Sequence, residues 1–134
     1  MPIDIIFDGN KKVNAIIDGF TIKTDQEIKS GGENSAPTPF NLFLASLGTC
    51  AGIYVKSFCN QRDIDTSEMR ISMDYIYNHD QKMIVKFIIL IHVPQDFPVQ
   101  YEAAVIKTAS LCAVKRHLNP AIENEITIVR PNLI

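Results

Sequence analysis

PTPFNLFLASLGTCAGIYVKSF, residues 37–58, is the stretch that decides the fold, because it predicts one long, apolar helix. Thr38 is a candidate N-cap and Pro39 suits the first helical position, so we expect the helix to begin there and to run to about Cys59. Glycine costs roughly 1 kcal/mol in a helix interior, and its presence here predicts close packing against another element. The small residues of this helix are Ala45, Ser46, Gly48, Ala51 and Gly52.

The rest of the chain predicts strands on both sides of this helix and a second helix near the C-terminus. Asp8-Gly9-Asn10 and Asp18-Gly19 are turn sequences that accept positive φ, and they divide the N-terminal residues into a three-stranded β-meander. The predicted strands are 3–8, 13–18, Phe20–Thr24, 67–77, 82–93 and 125–129, and the second helix is 98–118. This order predicts an α+β fold in which two central helices pack against β-sheet.

Composition limits the kind of protein. A chain of 134 residues with 46% hydrophobic content predicts a single domain over residues 1–134. A net charge of −2 offers no basic face for phosphates, so we expect no nucleic-acid partner. The N-terminus MPIDIIFDGNKK lacks a basic leader, and the apolar run 87–91 is too short for a bilayer. We therefore expect a cytoplasmic protein without membrane contact.

Three cysteines are the best indication of chemistry. Cys50 lies in the middle of the first predicted helix and Cys112 in the middle of the second, within VIKTASLCAVKRHL. Cys59 follows Cys50 on the same helix, and nine residues of helix would hold the two about 13 Å apart on opposite faces. A disulfide needs Cα atoms within about 7 Å, so Cys50 and Cys112 are the plausible pair if the helices pack together. The plain alternative is that all three cysteines are small buried hydrophobes.

The segments around the two cysteines carry a family resemblance. NLFLASLGTC at residues 41–50 and LCAVKRHL at residues 111–118 resemble the OsmC/Ohr superfamily of osmotically induced and organic hydroperoxide resistance proteins. The resemblance implies an intertwined homodimer with pockets at the subunit interface. It also implies that Cys50 attacks an organic hydroperoxide, that Cys112 resolves the product to a disulfide, and that an external dithiol acts as reductant without a cofactor.

Two positions depart from this family pattern. The hydroperoxide reductases activate the reactive thiol with an arginine from the N-terminal strands and a glutamate ten positions before the cysteine. Here Phe40 takes the glutamate position and no arginine precedes Arg62, which suggests a divergent branch. Because Cys50 also lies about three turns into its helix, we expect its pKa to stay near or above about 8.5. Lys115 and Arg116 follow Cys112 at i+3 and i+4, where a cation can stabilise a thiolate, and the plain alternative is a solvated basic end that complements the helix C-terminus.

Two function classes follow. The first is a thiol-dependent redox enzyme that uses Cys50 and Cys112. The second is a non-catalytic homodimer that binds a small apolar ligand at the subunit interface, and the role of Cys59 is open in both. A zinc site is not expected, because Cys50, Cys59, Cys112 and His117 have no metal-binding spacing.

Overall fold

Two three-stranded sheets and one long helix dominate the computed structural model, which describes residues 1–132. The chain divides into two units, Met1–Ala45 and a second that starts at Ser46. The first sheet has the order β1-β2-β3 and the second the order β4-β5-β6. The predicted α+β class is therefore confirmed, whereas the single domain over residues 1–134 stays a prediction.

The first unit contains the predicted N-terminal meander. Strands β1 (Asp4–Phe7), β2 (Val13–Ile17) and β3 (Phe20–Thr24) pair antiparallel in chain order. Asp18 and Gly19 connect β2 to β3 with φ of 50° and 81°, as a two-residue hairpin turn with positive φ at both positions requires. The predicted meander is confirmed. It could be predicted because its turns depend only on adjacent residues.

The two faces of the meander differ in character. Side chains alternate between faces along a strand, so register partners share a face. One face is almost wholly apolar, and we call it the meander face; it carries Ile5, Phe7, Val13, Ala15, Ile17, Phe20, Ile22 and Thr24. Phe7 and Phe20 are 82% and 72% exposed on it. The opposite face carries polar residues such as Asn14, Thr21 and Lys23.

Asp25 holds the loop between β3 and the long helix. Its side chain is fully buried and accepts hydrogen bonds from the backbone N–H of Gln26 at 2.7 Å and of Glu33 at 3.2 Å. Ser35 donates both its hydroxyl, at 2.6 Å, and its N–H, at 3.0 Å. These donors, with the Ser35 hydroxyl first, lower the pKa of Asp25 to about 2.

Helix α1 (Pro39–Asn60) begins as predicted, since Thr38 Oγ1 accepts the N–H of Asn41 at 3.2 Å. A side-chain atom at Gly52 would lie 3.8 Å from the Ile71 side chain, which confirms close packing at that glycine, whereas Gly48 faces open space among the described residues. By length and composition alone α1 could cross a membrane, a test that core helices of soluble proteins also pass.

The second unit builds the core. Strands β4 (Arg70–Asn78) and β5 (Met83–His92) form an antiparallel hairpin with an irregularity between Ile76 and Tyr77, and β6 (Glu123–Val129) pairs parallel to β5. The core lies between α1, the sheet and the segment that follows β5. Its buried residues are Ala51, Val55, Phe58, Cys59, Ile89, Ile91, Val93, Phe97, Val105 and Ala109.

The prediction of one continuous helix over residues 98–118 is wrong. A 3₁₀ turn (Val99–Tyr101) leads into α2 (Glu102–Ala109), and a separate short helix, α3 (Ala113–Arg116), follows. The Ser110 hydroxyl donates to the carbonyl of Lys107 at 2.6 Å, which helps to end α2 because such local bonds compete with helix continuation. Cys112, with φ −48° and ψ 130°, is the N-cap of α3 and not a mid-helix residue.

Acid should weaken the first unit through Asp25. Its folded pKa, about 2, lies below its unfolded value, so the stability that its charge contributes is present above about pH 4 and is lost as the pH falls through about 2. We expect Asp25→Asn to lower the melting temperature clearly at neutral pH and to approach wild type in acid. Thermal melting at stepped pH values measures this, with the exposed Asp4→Asn as control. Equal stability of wild type and Asp25→Asn at every pH would contradict the assignment.

Candidate functional site

The structure brings Cys50 and Cys112 together. Cys50 lies in α1 next to the buried residue Ala51 and is half-buried, whereas Cys112 is 1% exposed. The two thiols are close enough that each affects the pKa of the other. Cys112 lies in the break between α2 and α3. Its backbone is not helical, and α3 begins at the next residue.

The environment of Cys50 favours its thiolate. Burial by itself raises the pKa of Cys50, but hydrogen bonds outweigh that effect and the net pKa lies below its ordinary value. The Cys112 side chain is the leading donor, followed by the backbone N–H groups of Val114 and Ala113, and the charge of Arg116 adds to them. The first N–H groups of a helix have no partner within it, so those of α3 are available to a sulfur anion.

Cys112 has the opposite tendency. Burial, followed by its hydrogen bond to Cys50, raises the pKa of the Cys112 thiol, and the N–H groups of Lys115 and Val114 compensate only in part. The two thiols are therefore shifted in opposite directions, with the pKa of Cys50 lowered and that of Cys112 raised. An accessible thiolate beside a protonated thiol has the two reactivities that a nucleophile and a resolving group require.

Cys59 is a core residue. Its side chain is fully buried, and burial raises its pKa even though Lys56 and Arg62 oppose the shift. A buried thiol with a raised pKa is a poor nucleophile. Of the roles left open for Cys59, the structure favours that of a small hydrophobe in the core.

The expectation for Cys50 was a pKa near or above about 8.5, whereas its surroundings lower the pKa from its ordinary value. It rested on the depth of Cys50 within its own helix and on the missing arginine and glutamate. Donors from α3 act on Cys50 instead, together with the charge of Arg116. Lys115 interacts with Cys112, as expected for that residue. Phe40, at the glutamate position, is exposed and stacks on Phe43 with ring centroids 5.9 Å apart.

Ala113 and Val114 are the functional residues that sequence reasoning missed. Their backbone N–H groups lower the pKa of Cys50, so their side-chain types could not identify them. Only a predicted helix break at Ser110–Cys112 could have done so. His117, considered with the cysteines as a zinc ligand, uses Nδ1 for a 2.7 Å hydrogen bond with the Ala113 carbonyl. Within residues 1–132, no group of three or more His, Cys, Asp or Glu side chains is placed to hold a metal.

Alkylation by iodoacetamide over a range of pH should modify Cys50 first. Its rate should rise with a midpoint below the value of about 8.5 for a free cysteine, since the thiolate is the reacting form. Arg116→Gln should move this midpoint upward by a fraction of a pH unit, because an exposed charge contributes about 1 kcal/mol or less. Peptide mass mapping measures each site, and Lys115→Gln is the matched control. Earlier modification of Cys59, or a midpoint at or above that of free cysteine, would refute this.

Solved structures of other proteins share the fold of this chain. A solved structure from Psychrobacter arcticus, named for osmotic stress and a detoxification response, has a TM-score of 0.80 at 20% identity, covering 95% of this chain and 94% of that one. An OsmC like protein from Mycoplasma pneumoniae gives 0.77 at 12% identity, covering 98% and 96%. An organic hydroperoxide resistance protein from Elizabethkingia anophelis gives 0.67 at 15% identity, covering 98% and 97%.

The sequence itself carries the family assignment. No curated protein matches it. Residues 32–127, well over half of the chain and including both Cys50 and Cys112, match the family described as OsmC-like protein. The chain therefore belongs to the OsmC-like protein family.

Proposed function

We propose that this protein reduces organic hydroperoxides with Cys50 and Cys112, using electrons from an external dithiol. The observation that carries the proposal is the hydrogen-bonded pair in which the half-buried Cys50 has a lowered pKa and the buried Cys112 a raised one. Membership of the OsmC-like family, and structural neighbours named as hydroperoxide resistance proteins, support a redox or stress-response role.

The first step is attack by the Cys50 thiolate on the peroxide. The sulfur takes the terminal oxygen, the O–O bond breaks, and the alkoxide leaves and takes a proton from solvent to become an alcohol. Cys50 is then a sulfenic acid, oxidised by two electrons while the peroxide is reduced by two. Two exposed apolar side chains, Ile53 three residues after Cys50 and Leu111 directly before Cys112, favour an organic substrate over hydrogen peroxide.

The second step joins the two sulfurs. Cys112 attacks the sulfenic sulfur of Cys50, and its own proton leaves with the hydroxyl group as water, so no further base is needed. An external dithiol then reduces the disulfide by exchange and becomes a disulfide itself. The cycle converts one hydroperoxide and one dithiol into an alcohol, a water and a disulfide.

A second candidate function is binding of a small apolar ligand by a non-catalytic homodimer. The observation that favours it is the replacement of the family glutamate by Phe40, an exposed apolar side chain, together with the absence of any arginine before Arg62. The lowered pKa of Cys50 favours the redox function, because an inert thiol has no need of three hydrogen-bond donors.

A dithiol-coupled assay should show turnover of cumene hydroperoxide that depends on Cys50. Cys50→Ser should fall to the background rate, and Cys112→Ser should lose repeated turnover while it still consumes one equivalent of peroxide. Cys59→Ala is the matched control and should retain activity. Cumene hydroperoxide should react faster than hydrogen peroxide, since burial of apolar surface contributes about 25 cal/mol per Å².

Peptide mapping after one equivalent of peroxide should recover the Cys50–Cys112 disulfide. Equal rates for wild type and Cys50→Ser would remove the enzymatic function and leave ligand binding. Recovery of cross-links that contain only Cys59 would remove the proposed cysteine pair.

We further propose that the protein is a homodimer, with a second copy covering the meander face. An apolar surface that contains Phe7 and Phe20, both largely exposed in one chain, is costly in water. The opposite face is more polar, since it carries Asn14, Thr21 and Lys23 beside Ile6 and Ile16, and this contrast supports a partner on the meander face. The family resemblance implies the same assembly.

Sedimentation should show a dimer at micromolar concentration, and a single acid on the meander face should weaken it. We expect Phe20→Glu to shift the protein toward monomer, because a buried unpaired carboxylate costs several kcal/mol. Thr21→Glu is the matched control, since it adds the same charge at the adjacent exposed position on the other face. A stable wild-type monomer, or equal dissociation of the two variants, would contradict the proposal.

A further inference from the structure

A cavity of about 370 Å³ lies at one end of the second sheet, and nothing in the redox cycle uses it. Arg70, His92 and Val129 line it, and they stand in one row across the sheet as register partners on β4, β5 and at the end of β6. Their neighbours Ile71, Ile91 and Ile128 pack into or against the core. Because side chains alternate along strands, the cavity opens on the face opposite the core.

Arg70 is the cation of this cavity that has no ion pair among residues 1–132, whereas Arg130 is paired with Glu102 at 3.7 Å. Arg70 and His92 are directly opposite each other, an arrangement of like-charged or basic groups that disfavours pairing unless something lies between them. Among residues 1–132, no side chain forms a hydrogen bond or ion pair with the Arg70 guanidinium. Glu68 lines the same cavity but is outside ion-pair distance of Arg70.

Arg130 and His92 are already held in place by the protein. The Arg130 guanidinium donates to the carbonyls of Gln95 at 3.0 Å and Phe97 at 2.8 Å and is ion-paired with Glu102 at 3.7 Å, so its donors and its charge are already used. Ser72 Oγ lies 2.8 Å from Nε2 of His92. When Ser72 donates this bond, the ring proton is on Nδ1, and the imidazole is a donor even when neutral. Of these three side chains, only the Arg70 guanidinium makes no hydrogen bond within residues 1–132, so all of its donors are available to a ligand.

We propose that this cavity binds a small organic anion. Its carboxylate or phosphate head would accept hydrogen bonds from the Arg70 guanidinium, whose planar fork suits oxyanions, and from His92. Its apolar part would lie on Pro94, Val129 and Pro131, which line the same cavity. A volume of this size suits a small organic molecule better than a bare inorganic ion. Neither Cys50 nor Cys112 lines the cavity, so this proposal can be tested independently of the peroxide chemistry.

The test uses hexanoate and hexyl phosphate as probes, with hexanol as the neutral control. Titrations of the full chain, followed by backbone amide chemical shifts, should show saturable binding of one or both anions at Arg70, His92 and Val129. Arg70→Gln should weaken binding roughly tenfold or more, because it removes a charge-assisted bidentate contact. Lys86→Gln is the matched control: it removes one positive charge from the same sheet face, at the far end of β5.

Each outcome decides the proposal. Binding of hexanoate alone assigns a carboxylate ligand, and tighter binding of hexyl phosphate assigns a phosphate ester. Hexanol binding as tightly as the anions would overturn the proposal, as would equal affinity in wild type and Arg70→Gln. No saturable shift at the cavity up to the solubility limit of the probes would also overturn it. Circular dichroism of both variants checks that the fold is retained.

Discussion

The hydrogen bond between the thiols of Cys50 and Cys112 is the interaction on which the candidate chemistry depends. Burial raises the pKa of both thiols, and hydrogen bonds to Cys50 reverse the shift for that residue alone. Cys112 is almost fully buried and keeps the proton, while the half-buried Cys50 has backbone donors for a negative charge. The pair is thus asymmetric before any oxidant arrives, and the asymmetry comes from position and not from residue type.

That asymmetry rests on a short irregular segment. If α2 continued unbroken through Cys112, as the spacing of Ala109 and Ala113 suggests, the N–H groups of Ala113 and Val114 would bond to carbonyls of the preceding turn. The break after Ala109 releases them, and α3 then presents them to Cys50. A device of this kind uses backbone donors and the charge of Arg116 in place of an arginine–glutamate pair from the N-terminal part of the chain. Lowering the pKa of a thiol needs donors and positive charge, and it does not need any one residue.

Features that depend on neighbours in sequence could be predicted, and features that depend on distant neighbours could not. The Asp18-Gly19 turn and the Thr38 cap were predictable because a few adjacent residues determine their backbone angles and hydrogen bonds. The juxtaposition of Cys50 and Cys112 was predictable only on the condition that two helices pack together. The pKa of Cys50 was not predictable, because its donors come from a distant part of the chain through backbone groups that every residue carries. The break at Ser110 was not predicted because the apolar periodicity continues across it. The hydrogen bond from the Ser110 hydroxyl to the Lys107 carbonyl does not change that periodicity.

Cys50 and Cys59 both lie on α1, but their pKa values shift in opposite directions. Both thiols belong to the same helix, and for both of them burial alone raises the pKa. For Cys59 the only opposing influence is the charge of Lys56 and Arg62, and it is too weak to reverse the shift. For Cys50 the direct donors of Cys112 and α3 reverse it. Direct hydrogen bonds to the sulfur, and not cations at a distance, therefore decide which of the two cysteines on α1 has a lowered pKa. The backbone donors to Cys50 come from α3, a different helix.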